Sequence, residues 1–458
     1  MRRTLTTLLM VGCGWAAWGQ PRPYQPQVQH SEMPQPVVLP QVAAPAEVPA
    51  SLGLQDALKV AFRYQSALRV SESQVRGARG RRRQTSAGLN PRLSLSSTYN
   101  EVLINSADAS GFGSFLGAGG WSHNATLSQL LYDFGHTRDL THAQEEMEKS
   151  AQSGYEQAQS DLALQVKQAY FACLQAQRLI KVQEDALVNR REHVKEARSR
   201  FDAGLGLPSD VTRAETALSA ALFNLTQAQT TAANNKLQLN LVLGLDPRVP
   251  IVLREEQEPL LPFNTPEELF ELALKQRPEL IQFQANLASA QAALDAAHTQ
   301  SSPSVSTNMI YQNRQNPSFQ TLGLNLAISF NAVDGGLQDG KVTEATANVD
   351  KARAELEGTQ QRVLSQVGQA YLNLKNSDQQ LTSAAAEVAN ASETLRLTNG
   401  RYKVGLGIFL DVLDAQSAVL TAQTNQVNAL AQLYLSRAAL ARAVGIIPSI
   451  GKVDETKD

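Results

Sequence analysis

The chain is written twice. Ala61 to Leu68 is matched 212 residues later by Ala273 to Leu280, and the same offset links Pro91 to Pro303 and Tyr99 to Tyr311. Further on the offset is 201. It links Gln168-Ala169-Tyr170 to Gln369-Ala370-Tyr371, Gly204-Leu205-Gly206 to Gly405-Leu406-Gly407, and Asp210-Val211 to Asp411-Val412. The lost residues fall between Tyr99 and Gly135, where the first copy carries a Gly/Ser-rich tract from Ser106 to Gly120. A long internal repeat constrains architecture more than any local motif, because each copy adopts one unit and the units must pack together.

Both units read in the same order. An amphipathic helix comes first, about 53–88 and 266–300. It ends before Asn90-Pro91 or Ser302-Pro303, where proline forces extended backbone on its predecessor. Two alternating segments follow. Leu93, Leu95 and Tyr99 alternate with Ser94, Ser96 and Thr98; Leu322, Leu324, Leu326, Ile328 and Phe330 alternate with Thr321, Gly323, Asn325, Ala327 and Ser329. Period two with one apolar face predicts strands, and about ten residues is the length a tilted strand needs to cross a membrane.

Next comes a proline-free helix, about 137–201 and 337–402. At ~1.5 Å per residue it is about 100 Å long, too long for a compact domain. Leu374, Leu381, Val388, Leu395 and Tyr402 are seven apart, as are Cys173, Ile180, Leu187, Val194 and Phe201. A sustained heptad predicts a coiled-coil seam. A glycine turn then leads into a returning helix, about 209–243 and 410–444. The expected domains are therefore a first repeat over 51–245, a connector over 246–265, a second repeat over 266–446 and a tail over 447–458. Aromatic residues make up only 6% of the 458 positions, which suits extended helices better than a large aromatic core.

The first nineteen residues read as a signal peptide: Arg2 and Arg3, an apolar run from Leu5 to Trp18, and small residues before a cut near Gly19. The run is too short to span a bilayer as a helix. Met10-Val11-Gly12-Cys13 also permits lipidation at Cys13. Residues 20–50 carry eight prolines and read as a linker. A formal charge of −2 gives no basic footprint for nucleic acid. Beyond Cys13 the one remaining cysteine is Cys173, on an apolar helical position, where a small buried hydrophobe is the expected role.

Four amphipathic strands cannot close a barrel, and an open sheet in lipid leaves its edge amides unsatisfied. Copies must pool strands: two give a filled eight-stranded barrel, three a twelve-stranded one with a lumen, and geometry alone does not choose between them.

The turn residues decide more. Arg401-Tyr402-Lys403-Val404-Gly405-Leu406, followed by Asp411-Val412-Leu413-Asp414-Ala415-Gln416, resembles the tip motif of the TolC-type outer-membrane efflux proteins. Arg200-Phe201-Asp202-Ala203-Gly204-Leu205 and Asp210-Val211 resemble its partner copy. The resemblance spans about 50–446, in register in both halves. It implies a mainly helical fold with a small β part, and a homotrimer whose shared 12-stranded barrel in outer-membrane lipid opens into a periplasmic helical tunnel. It also implies passive export, coupled through a periplasmic adaptor protein to an inner-membrane transporter.

The resemblance assigns roles residue by residue. Asp411 and Asp414 match positions that ring the periplasmic entrance; the plainer reading makes Asp411 a helix cap. Asp210 and Tyr402 match a pair that ties the closed tip together, with a cap and a seam aromatic as the alternative. Gly204, Leu205, Val404, Gly405 and Leu406 would be adaptor-docking tips, besides ending their helices. Gly407 stands where a basic residue often follows, which predicts a less tightly latched entrance.

Arg76, Arg79, Arg81, Arg82 and Arg83 precede the first strand, and either meet lipid head groups or form a solvated face. Gly111 to Gly117 has the wrong spacing for a phosphate loop and reads as an extracellular hairpin. The six histidines, His30, His123, His136, His142, His193 and His298, form no metal-ligand set, and no nucleophile–base constellation is present, so neither cofactor nor enzymatic activity is expected. A secreted coiled-coil protein or adhesin without a pore would explain the heptads but not the symmetric strands. A periplasmic adaptor would carry one hairpin rather than two full repeats.

Overall fold

The structure is a computed structural model, and it describes residues 51–101, 120–256, 265–315, 318–331 and 333–446. The signal peptide, Cys13, the Pro-rich linker, the Gly111–Gly117 tract and the tail lie outside those residues. The first unit runs α1 (Leu54–Tyr64), α2 (Ser66–Ser86), β1 (Arg92–Asn100), β2 (Gly120–Tyr132), α3 (His136–Asp202) and α4 (Pro208–Leu243). The second runs α5 (Pro266–Gln276), α6 (Pro278–Thr299), β3 (Ser304–Gln315), β4 (Ser318–Ser329), α7 (Leu337–Lys403) and α8 (Phe409–Val444).

The expected single first helix is two helices in each unit. The chain breaks at Gln65 (φ −69°, ψ 122°) and again at Arg277 (φ −71°, ψ 120°). Pro278 enforces the second break. Ser66 occupies the matching place in the first copy, so tertiary contacts hold that break. Gln65 Nε2 donates to the Val242 carbonyl at 3.0 Å, and Arg277 Nη1 donates to the Ala443 carbonyl at 3.3 Å. Each break thus caps the C-terminus of its own unit's returning helix. Gly244 (φ +73°) and Gly445 (φ +89°) end those helices in left-handed turns pressed against the breaks. A Cβ on Gly244 would lie 2.9 Å from the Tyr64 backbone, and one on Gly445 2.9 Å from Arg277 Cα, so only glycine fits.

Two further turns repeat. The strand-to-helix connections are Asp133-Phe134-Gly135 and Asp334-Gly335-Gly336. Asp133 accepts from the Gly135 and Thr137 amides at 3.2 and 2.8 Å, and Asp334 from the Gly336 and Gln338 amides at 3.1 and 2.8 Å. These carboxylates satisfy amides that a helix start leaves open.

The helices pack side by side. Near the sheet, α2, α3, α6 and α7 lie abreast; towards the hairpin turns, α4, α3, α8 and α7 do. The long helices α3 and α7 run through both rows. In α7 the heptad is fuller than the large residues alone revealed. Ala370, Ser377, Ala384, Ala391 and Thr398 alternate with Leu374, Leu381, Val388, Leu395 and Tyr402 at spacings of three and four, and all ten are buried or half-buried. Small against large at alternate positions lets helices approach closely. Phe201, expected on the seam of α3, is instead exposed at the tip. Cys173 is buried, and burial pushes its thiol up to about 12, so it is an inert core residue. Among the described residues no helix is long and apolar enough to cross a membrane.

Candidate functional site

Two regions expose apolar residues that the rest of the fold does not use: the sheet, and the hairpin turns at the far end of α3 and α7. The four strands form one antiparallel sheet in the order β1-β2-β3-β4. Its register sorts side chains by face. Leu93, Leu127, Met309 and Leu324 form one row across it, and Leu95, Ala125, Tyr311 and Leu322 form the next row on the same face. On the other face lie Arg92, Ser128, Asn308 and Asn325, then Ser96, Asn124, Gln312 and Thr321. Among the described residues nothing covers the apolar face: Leu95 and Leu324 are each 75% exposed.

Aromatic pairs mark both ends of this band. Tyr99 and Trp121 lie 5.3 Å apart at one end, Tyr132 and Phe134 4.8 Å apart at the other. From Trp121 to Tyr132 a strand rising ~3.3 Å per residue covers about 36 Å, or roughly 28 Å along the membrane normal at a ~40° tilt. Lipid-facing bands of membrane barrels are ~25 Å tall, with aromatic girdles at both edges.

At the far end, α3 turns into α4 at Gly204 (φ +71°), and α7 into α8 at Gly405 (φ +79°). The Leu205 amide donates to the Arg200 carbonyl, and the Leu406 amide to the Arg401 carbonyl, both at 2.8 Å. This doubled-back hydrogen bond closes a helix on a left-handed glycine. It leaves Leu205 80%, Val404 70% and Leu406 74% exposed, beside exposed Leu207 and Ile408, which the sequence reading did not single out.

Behind the turns sits a small core: Val194 and Ala197 of α3, Ala214 of α4, Tyr402 of α7, and Phe409 and Val412 of α8. The Tyr402 ring lies 5.6 Å from that of Phe409, and the Arg200 guanidinium stacks on its face at 4.2 Å. Burial first, then the charges of Glu196 and Asp210, push the Tyr402 hydroxyl up against the pull of Arg200, so it keeps its proton. Asp210 is therefore close enough to act on Tyr402, although among the described residues no hydrogen bond joins the two within one chain. Arg190 ties α3 to α8, donating to Gln416 at 2.6 Å and Ser417 at 3.2 Å.

Asp411 and Asp414 are exposed on α8. Asp411 is not the helix cap: Ile408 holds that place, and Asp411 sits in the first turn, where it complements the helix dipole. Asp210 likewise lies in the first turn of α4, whose N-cap is Leu207. Of the arginines before β1, Arg79 and Arg82 pair with Glu148 of α3 at 3.0 and 2.9 Å, with Glu145 at 3.6 Å from Arg82. Among the described residues no His/Cys/Asp/Glu group could hold a metal ion.

The model of the family described as "Outer membrane efflux protein" matches residues 59–245 and 269–446. The chain belongs to that family. Protein CyaE of Bordetella pertussis is 28% identical over 426 residues, covering 89% of this chain and 87% of its own. Outer membrane protein TolC of Vibrio cholerae is 25% identical over 376 residues, covering 79% and 83%. Among solved structures, the outer-membrane channel OprN superposes with a TM-score of 0.75 at 22% identity, over 86% of this chain and 89% of that one. The outer membrane protein VceC from Vibrio cholerae superposes with a TM-score of 0.74 at 20% identity, over 86% and 96%. As an outer membrane efflux protein, the chain is an export channel component of the outer membrane extending into the periplasm, and not an enzyme.

Proposed function

We propose that three copies join their sheets edge to edge into a closed 12-stranded barrel in the outer membrane, continued by a periplasmic tunnel of packed helices. One observation carries this reading. The sheet is apolar on one face, polar on the other, exposed on both, and ends in two open edges, β1 and β4. In lipid those edges need partners, and only other copies offer strands of matching band and polarity. Because β1 and β4 are antiparallel to each other, β4 of one copy can pair with β1 of the next and keep the alternation. Two copies would make an eight-stranded barrel filled by side chains; three leave a lumen, as export requires.

Each repeat, 51–245 and 266–446, then supplies two strands and one long hairpin. Substrates move passively, and the energy comes from an inner-membrane transporter joined through a periplasmic adaptor. The exposed apolar turns at Gly204-Leu205 and Val404-Gly405-Leu406 suit that docking. Asp411 and Asp414, exposed at the same end, would ring the entrance in three-fold symmetry and favour cations. Tyr402 and Asp210 would latch it. The native mass of protein extracted in detergent from outer membranes tests the assembly. A three-chain complex is expected, and a single chain recovered without detergent would sink the reading.

A further inference from the structure

We propose that neighbouring copies meet where α7 of one packs on α2 of the next, with Glu344 and Glu355 of α7 seated among the arginines of α2. This rests on the trimer reading above. The repeat itself supplies the template. Within one chain the first copy meets the second where α3 packs on α6. In a closed ring the second copy must meet the next chain's first copy through the same joint, and the helices equivalent to α3 and α6 are α7 and α2.

Two of the contacts at the joint inside the chain fix its register. Ser289 of α6 donates to the Ala143 carbonyl of α3 at 2.9 Å, with both residues buried. Gln282 of α6 lies against Gly154, 3.6 Å from where a Cβ would stand. Carried across the repeat, Ser289 becomes Gly77 and Ala143 becomes Glu344; Gln282 becomes Val70 and Gly154 becomes Glu355. The equivalents are all exposed in the single chain. Of these, Val70 and Gly77 line a groove on α2, together with Ser66, Ser73, Arg69 and Arg81.

Charge selects the occupant. α2 carries six arginines and one glutamate. Arg79 and Arg82 are already paired with α3. Among the described residues Arg69, Arg76 and Arg81 have no carboxylate within the chain, and Arg76 reaches only the Ser73 hydroxyl at 3.1 Å. On α7, Glu344 has no cation partner among the described residues, and Glu355 has only Lys351 at 3.9 Å. In the transferred register, Glu344 faces Gly77 of the neighbouring protomer, flanked there by Arg76 and Arg81. Glu355 faces Val70, beside Arg69. Two sets of charges, of which among the described residues only Glu355 has a partner in Lys351, thus complement each other in the ring.

Cysteine pairing tests the register in the intact protein. Gly77→Cys combined with Glu344→Cys, oxidised in cells, is expected to give covalent two- and three-chain species on a non-reducing gel. Neither single variant should do so. Gly77→Cys with Glu355→Cys, displaced by about 16 Å along the helix, should not either. As a second reading, Glu344→Arg should lower the fraction of complex surviving dilution by about fivefold, and adding Arg81→Glu should restore it. A three-chain complex without the Gly77–Glu344 cross-link, or a double reversal no better than the single one, overturns this seam while the trimer stands. A wild-type protein that is a single chain in detergent overturns both.

Discussion

Tyr402 is held by a cation on its face and an aromatic ring at its edge, yet its hydroxyl remains free to act as a donor. If it latches the entrance through Asp210, Tyr402→Phe removes the donor and leaves the packing. Raised single-channel conductance in planar bilayers is expected; an unchanged trace would count against the latch. Asp411→Asn with Asp414→Asn should lower cation-over-anion permeability by about twofold, read from reversal potentials in a salt gradient. One turn above, His193 of α3 sits beside Phe409, with Nδ1 3.7 Å from Glu196 and no hydrogen bond. Burial, aided by Arg190 and Lys403 against Glu196 and Glu192, holds its pKa below the ordinary 6.5. A histidine kept neutral in the fold binds its proton more readily when unfolded. Its contribution to stability is therefore present above about pH 6.5 and is lost as pH falls below it. Thermal denaturation of wild type against His193→Gln between pH 7.5 and 5 should show a steeper acid loss in wild type. The tip motif pointed to Asp210 and Tyr402, but the Arg200–Tyr402 and His193–Phe409 contacts were not legible in the sequence, because these residues meet only after two hairpins have folded together.

The strands and the long helices, by contrast, were written locally. The alternation of Leu93, Leu95 and Tyr99, and of Leu322 through Ile328, gave β1 and β4, whose apolar faces are uncovered. The strands between them carry less regular alternation because Gln129 falls on the apolar face and Ile310 on the polar one, and pairing rather than pattern defines them. Only half of the α7 seam stood out, since alanine and serine at the alternate positions look the same whether buried or exposed. The break at Gln65 left no mark, lacking the proline that its counterpart has; its cause lies 179 residues away, at Gly244. That junction is testable. Gly445→Ala places a Cβ 2.9 Å from Arg277 Cα at a positive φ, and should cost about 2 kcal/mol or more in thermal denaturation. Asp133→Ala, removing two amide acceptors from the start of α3, should cost about 1 kcal/mol in the same assay.

For the whole molecule, the two-fold repeat means that the proposed trimer would present six similar units, three joints within chains and three between them. The joints within chains are covalently tied and those between are not, so the seams between copies are where the assembly would yield first. The open sheet edges have a genetic consequence. A chain with a spoiled β4 edge, for instance one bearing a proline in that strand, could still join a ring through its sound β1 edge and leave the barrel unclosed. In a cell making normal and edge-defective chains in equal amounts, random mixing would leave about one ring in eight wholly normal. In the proposed trimer, a lesion that ought to be recessive in a monomeric transporter would behave as a dominant one.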